Sequence, residues 1–455
     1  MVFSSLTFLI CFLPIVLIIY YLVPQKIKNI VLLIASLAFY AYGEPKYILL
    51  FLISIISSYI FGVLIASKKN KKLYLILGIT IHICFLIYFK YIDFLINNIN
   101  SIFKSNIDII GAALPIGISF YTFQIISYLI DIYTNKIEVE KNIIKYATYV
   151  AMFPQLIAGP IVRYNDIQKS IDNKEICINS LASGIERFII GLAKKVILAN
   201  SLGTFCEIYL QSKETTMIFS LFYSLACFMQ IFFDFSGYSD MAIGLGKMFG
   251  FDYPENFDYP FCSKSITEFW RRWHISLGRW FKDYVYIPLG GNRKGVFKQI
   301  INIFVVWVLT GLWHGASNVF LIWGLYFAFI LIIEKFLLKK ILEKIPTIFS
   351  HIYTVLLILI SFVIFNSKNI IQAKNIIIGM LGIGCSFVNK ETIYYISSNL
   401  ILFIISLILC TPIVKKIYDN KIIKIIKPIL LLILFIICIS FITVESFNPF
   451  IYFRF

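Results

Sequence analysis

Residues 300–333 contain no formally charged side chain, a run long enough for two membrane-spanning helices of roughly 17–25 residues each. Comparable apolar stretches recur at 3–23, 30–42, 47–66, 73–91, 181–199, 217–233, 352–365, 399–412 and 429–441. A backbone in hydrocarbon must satisfy its hydrogen bonds internally, so stretches of this length predict helices. The chain is 60% hydrophobic and 14% charged, whereas a soluble globule carries about 25% charged residues. The expected fold is an all-α, polytopic integral membrane protein forming one unit over 1–455, with roughly 11–13 membrane-embedded helices plus re-entrant and amphipathic ones. The first stretch lacks a basic n-region and an Ala-x-Ala site, so it reads as a retained first span.

The 41 Lys and Arg against 24 Asp and Glu give a formal charge of +17. In a soluble protein that excess would raise nucleic-acid binding, but here it gathers in short connections: Lys26 and Lys28, Lys68 to Lys72, Lys335 to Lys344, and Lys415 to Lys427. The positive-inside rule makes these cytoplasmic loops and places both termini outside. No basic groove with interleaved aromatics remains, so no nucleic-acid partner is expected; membrane lipid is. Heavy use of Ile, Lys, Asn and Phe fits an AT-rich bacterial genome, and the bacterial cytoplasmic membrane is the expected location. The nine cysteines form no Cys-x-x-Cys pair or His/Cys cluster, which predicts small buried hydrophobes and no metal site.

Several segments break the helical pattern. Pro115 and Gly117 interrupt the region 109–133, which reads as a cavity wall, and 146–164 is too proline-rich for an unbroken helix and reads as re-entrant or interfacial. The span ending near Phe233 is predicted to give way to a polar turn, Asp234-Phe235-Ser236-Gly237-Tyr238-Ser239-Asp240. Residues 251–298 alternate aromatics with basic residues, as helices lying in the cytoplasmic headgroup plane do.

All six tryptophans lie between Trp270 and Trp323, a concentration that interfacial anchoring alone does not require. Two histidines stand among them. His314 lies sixteen residues beyond Lys298, about 24 Å along a helix at 1.5 Å per residue. An ionisable group so deep is a functional candidate, and a desolvated neutral imidazole can act as a general base. The alternative is a structural histidine tying two helices together, with Gly311 and Gly315 allowing another chain or a ligand to approach. His274 sits among Arg271, Arg272 and Arg279, either as an interfacial residue or as a second catalytic or donor-positioning group. The arginines could hold donor phosphates or anionic lipid headgroups equally well. Asp234 and Asp240 are expected to pair with an arginine, while His82 and His351 look like core and interface residues. Tyr452, in the aromatic tail 445–455, is either part of an interfacial anchor or a possible acyl acceptor.

Taken together, Pro115 to Gln124, Phe153 to Tyr164, Asp234 to Asp240, Thr267 to Leu277, Tyr286 to Arg293 and Leu312 to Gly315 resemble the membrane-bound O-acyltransferase family over about residues 110–325. The paired Gly290 and Gly291 are more similar to its alginate O-acetyltransferase branch than to its teichoic-acid D-alanyl branch. The resemblance implies a ring of tilted helices around a central funnel, His314 as catalytic histidine and His274 as the second. Arg271, Arg272, Trp273, Trp313, Asp234 and Asp240 are then donor-binding or supporting residues. It further implies no bound cofactor, a cytoplasmic donor such as acetyl-CoA or another acyl thioester, a polysaccharide acceptor and an extracytoplasmic acetyltransferase partner. D-alanyl transfer from a carrier-protein thioester and a transporter or flippase with a midplane site are the competing expectations.

Overall fold

The computed structural model describes residues 1–67, 69–174, 177–418 and 421–444. Tyr452 and the tail around it lie outside the described residues. Among the described residues there are only helices, turns and one isolated β-bridge, between Phe257 and Trp273. In chain order the helices are α1 (Thr7–Leu22), α2 (Lys28–Gly43), α3 (Pro45–Ser67), α4 (Lys71–Phe103), α5 (Ile118–Tyr133), α6 (Ile143–Ala151), α7 (Phe153–Leu156), α8 (Tyr164–Asp172), α9 (Ile178–Gln211) and α10 (Met217–Met248). There follow α11 (Ile266–Arg272), α12 (Ile275–Phe281), α13 (Val296–His314), α14 (Asn318–Leu342), α15 (Thr347–Asn366), α16 (Ile370–Met380), α17 (Lys390–Leu409), α18 (Ile413–Tyr418) and α19 (Ile423–Val444). Nine of these are long and apolar enough to cross a membrane, and α1, α2 and α16 are shorter apolar helices. The protein is a multi-pass membrane protein.

The chain divides into two compact units: Met1–Phe188 with Ser239–Pro254, and Ile189–Tyr238 with Glu255–Phe455. In the first, α5 is buried on nearly every face. It begins at Ile118 because Gly117 takes a left-handed φ of +77°, where a Cβ would stand 2.6 Å from the Leu156 carbonyl. The proline-rich stretch is indeed no single helix: α6 stops at Ala151, α7 lasts one turn, and residues 146–162 are buried throughout. Tyr128, Tyr146, Tyr149 and Tyr164 cluster there with ring centroids 4.6–6.4 Å apart. His82 is the core residue expected, with Nδ1 2.7 Å from the Gly78 carbonyl and Nε2 3.2 Å from that of Ser54.

The expected turn at Asp234–Asp240 is absent: α10 continues without a break to Met248. Its polar side chains are accommodated because each carboxylate has a cation. In the second unit Lys195 lies 2.6 Å from Asp234, the two side chains 5% and 1% exposed. In the first, Arg187 binds Asp240 through Nε at 3.0 Å and an Nη at 2.9 Å. The glycines serve close packing within each unit: a Cβ on Gly244 would meet the Gly184 carbonyl at 2.6 Å, and one on Gly237 the Gly191 carbonyl at 2.7 Å. Asp234 thus pairs with a lysine, against expectation, and Asp240 with an arginine outside the tryptophan-rich region.

The basic aromatic segment also differs from a free interfacial helix. Helix is confined to a short turn at Pro260–Cys262, α11, α12 with the turn after it and the first residues of α13, and Phe269, Trp273, Leu277, Trp280 and Phe281 are buried in the second unit. The cysteines divide: Cys206, Cys227, Cys410 and Cys438 are buried as expected, whereas Cys11 and Cys84 are exposed on apolar helices.

Candidate active site

Every contact in this site lies within the second unit. Ser265 caps α11 through its hydroxyl, and the buried carboxylate of Glu334, from α14, reaches the same helix end. It accepts hydrogen bonds from Ile266 N at 2.6 Å, Thr267 N at 2.9 Å and the Thr267 hydroxyl at 2.7 Å. A carboxylate at a helix N-terminus satisfies orphan N–H groups and complements the dipole. The helix is thereby fixed where the chain goes on to Trp270, Arg271 and His274.

His274 follows the end of α11 with φ +46° and ψ +52°, a left-handed conformation in a residue with a side chain. Such a conformation costs about 1–3 kcal/mol and persists only where surrounding contacts enforce it. Those contacts are visible: the Phe257–Trp273 bridge, Asp258 N donating to the Arg272 carbonyl at 2.9 Å, and Ile275 N donating to that of Asn256 at 3.0 Å. The imidazole is 1% exposed, with the Phe235 ring edge-on at 4.6 Å and Asn256 Oδ1 3.2 Å from its Nδ1. Burial pushes its pKa down to about 3, so the ring is neutral at pH 7. Among the described residues its Nε2 has no hydrogen-bond partner.

His274 is one of the residues lining a cavity of about 510 Å³, whose other walls are Trp270, Leu277, Tyr286, Val306, Trp307 and Thr310, with Arg271, Arg279 and Lys282 supplying positive charge. A second hollow of about 720 Å³ shares Thr267, Arg271, Tyr286 and Trp307 and adds Lys264, Lys335 and Lys339. Apolar walls with cations at the edge suit a ligand that has a slender apolar or amide portion and a phosphate-bearing portion.

His314 is the last residue of α13 and 2% exposed. Its ring lies 5.0 Å from Trp313, 5.0 Å from Trp323 and 5.3 Å from Phe365, so it faces the protein interior and not the lipid. Trp313 also touches His274 at 5.8 Å, which places one indole in contact with both imidazoles. Gly311 and Gly315 admit a neighbouring helix. A Cβ on Gly311 would stand 2.4 Å from the Phe320 carbonyl, and one on Gly315 2.3 Å from the Phe320 ring.

Of the other expected site residues, Arg271 lines the cavity, whereas Arg272 is drawn to Glu268 at 2.9 Å and Asp258 at 3.5 Å. Trp273 is buried against Phe269 and Phe362. Asp234 is in the same unit as the histidines, bound to Lys195, and Asp240 belongs to the first unit. His351 Nδ1 lies 3.1 Å from the Ser263 carbonyl, a structural position. Asn256, Glu334 and Lys195 carry much of this arrangement without any sequence signal beyond residue type. Among the described residues no group of three or more His, Cys, Asp or Glu side chains could hold a metal ion.

A multi-pass helical protein with a buried neutral imidazole on a cation-edged cavity has the outline of a membrane enzyme of group transfer. The model of the membrane-bound O-acyltransferase family matches residues 132–371. The probable alginate O-acetylase AlgI of Pseudomonas aeruginosa is 41% identical over 84% of this chain and 75% of that protein. The peptidoglycan O-acetyltransferase of Helicobacter pylori is 32% identical over 100% of this chain and 98% of its own. The teichoic acid D-alanyltransferase of Bacillus subtilis is 31% identical over 56% of this chain and 69% of its own. The chain belongs to the membrane-bound O-acyltransferase family.

Proposed function

We propose that this enzyme takes an acetyl group from a cytoplasmic thioester, acetyl-CoA or another acyl thioester, and passes it across the bacterial cytoplasmic membrane for O-acetylation of an extracytoplasmic polysaccharide. The names of the O-acetylating relatives, each similar over most of this chain, support acetyl transfer over the D-alanyl alternative, whose representative is similar over 56% of it. The observation that carries the reading is His274, a buried imidazole whose Nε2 has no partner among the described residues, as one of the residues lining a cavity with Arg271, Arg279 and Lys282. The thioester arm occupies the cavity and its phosphates lie against the cations.

In this reading His314 is the general base or acyl-transfer aid, and His274 with Arg271 positions the donor. The acceptor hydroxyl gives its proton to His314 as its oxygen bonds to the carbonyl carbon; the C–S bond breaks and the proton passes to the departing thiolate. Trp313, in contact with both rings, keeps them in fixed relation. An extracytoplasmic acetyltransferase completes delivery, both termini lie outside, and Tyr452 is a candidate acyl carrier. Purified protein in lipid vesicles with radiolabelled acetyl-CoA tests the reading: label should reach polymer or protein, and His314→Ala should prevent it while membrane insertion is retained. Label transferred only from a D-alanyl carrier thioester would overturn acetyl donation. Full activity after truncation before Phe450 would overturn the role of Tyr452.

A further inference from the structure

The side chain of Asn256 is buried beside His274 and Ser276. Its Oδ1 lies 3.2 Å from Ser276 N, 2.8 Å from the Ser276 hydroxyl and 3.2 Å from His274 Nδ1. A backbone N–H can only donate, so the amide atom facing Ser276 N must be the carbonyl oxygen and not the nitrogen. That oxygen in turn can only accept, so the proton of the neutral imidazole sits on Nδ1. Nε2, the nitrogen with no protein partner among the described residues, is then a bare lone pair on a residue of the cavity wall.

We infer that Asn256 is a positioning residue for acyl transfer, one that locks His274 as the Nδ1–H tautomer so that Nε2 accepts a hydrogen bond from an amide N–H of the bound acyl thioester. The inference rests on the donor site proposed above and says what His274 does there. A ring in this state cannot donate to the thioester carbonyl. The amides of a phosphopantetheine arm, common to coenzyme A and carrier-bound thioesters, supply the N–H it requires. The left-handed backbone at His274 shares this origin in part, since Asn256 holds the two residues that follow the ring, Ile275 through its carbonyl and Ser276 through its side chain.

The chain has four histidines, so ring-¹⁵N-histidine labelling of the full protein in lipid gives a spectrum assignable by comparison with His274→Gln. The expected spectrum has His274 protonated at Nδ1 and bare at Nε2. Asn256→Ala should lose that preference and raise the KM for acetyl-CoA about 5–10-fold, the worth of one hydrogen bond, with a smaller change in kcat. Asn256→Asp, which keeps an acceptor oxygen, should restore the tautomer and recover KM. A wild-type His274 ring protonated at Nε2 overturns the proposal, as does a wild-type KM in Asn256→Ala or an Asn256→Asp protein that behaves like Asn256→Ala. If the wild type shows the expected tautomer but transfers acyl groups from no thioester, it is the donor reading that has failed.

Discussion

The two histidines occupy opposite kinds of surroundings. His274 sits in a strained turn assembled from hydrogen bonds, with one ring nitrogen engaged by Asn256 and the other on a residue of the cavity wall. His314 ends a regular helix inside a box of Trp313, Trp323 and Phe365. It is not among the residues that line that cavity. A polar frame fixes which atom of a ring is presented, whereas an aromatic box fixes where the ring is. The first suits recognition of a donor, and the second suits a base that must stay dry until its partner arrives.

The comparison is broken most directly at His314. His314→Ala should lower acetyl transfer by about 10²–10⁴-fold, the usual worth of general acid–base catalysis, with membrane insertion retained. Radiolabel on the polymer measures it, and near-normal transfer would leave His314 a structural residue. Lys195→Ala takes the cation at 2.6 Å away from the buried Asp234 carboxylate and should cost about 3–5 kcal/mol in thermal unfolding of the solubilised protein. Asp234 lies next to Phe235, whose ring packs on His274, so this loss should be felt on the His274 side first.

A pH series sharpens the contrast further. His274 has a folded pKa near 3 against about 6.5 in an unfolded chain. Between these values the unfolded chain binds a proton that the folded one refuses. Stability should therefore be full above about pH 6.5, fall by about 1.4 kcal/mol per unit as the pH drops towards 3, and level off below. His274→Gln should remove that component of the slope in calorimetry at matched ionic strength. The smallest effect is expected for Glu334→Gln, which retains an acceptor at the head of α11 but loses its charge. About 1 kcal/mol of stability should go, with a rise in donor KM if α11 shifts.

The spanning helices were legible in the sequence because hydropathy reports an environment directly. Both histidines stand out as candidates in the sequence, since a rare ionisable group in an apolar setting does, and both are buried. Asp234 to Asp240 was misread as a turn for a reason of the same kind. Their polarity signals water unless the partners are known, and Lys195 and Arg187 lie 39 and 53 residues upstream, on another helix. Gly311 and Gly315 were ambiguous between a ligand and a helix, and only the packing of Phe320 decides it. Asn256 was not found at all, because one amide in a loop has no periodicity or spacing to mark it.

Gly311 and Gly324 bring α13 and α14 so close that hypothetical Cβ atoms on either would strike the opposing main chain at 2.4 Å. At that level the pair behaves as one welded strut. Neither a lipid tail nor a sugar can wedge between the two rods to reach the imidazole at the end of α13, so whatever meets that ring must come from another quarter, and the strut must travel as a single piece if it moves during turnover.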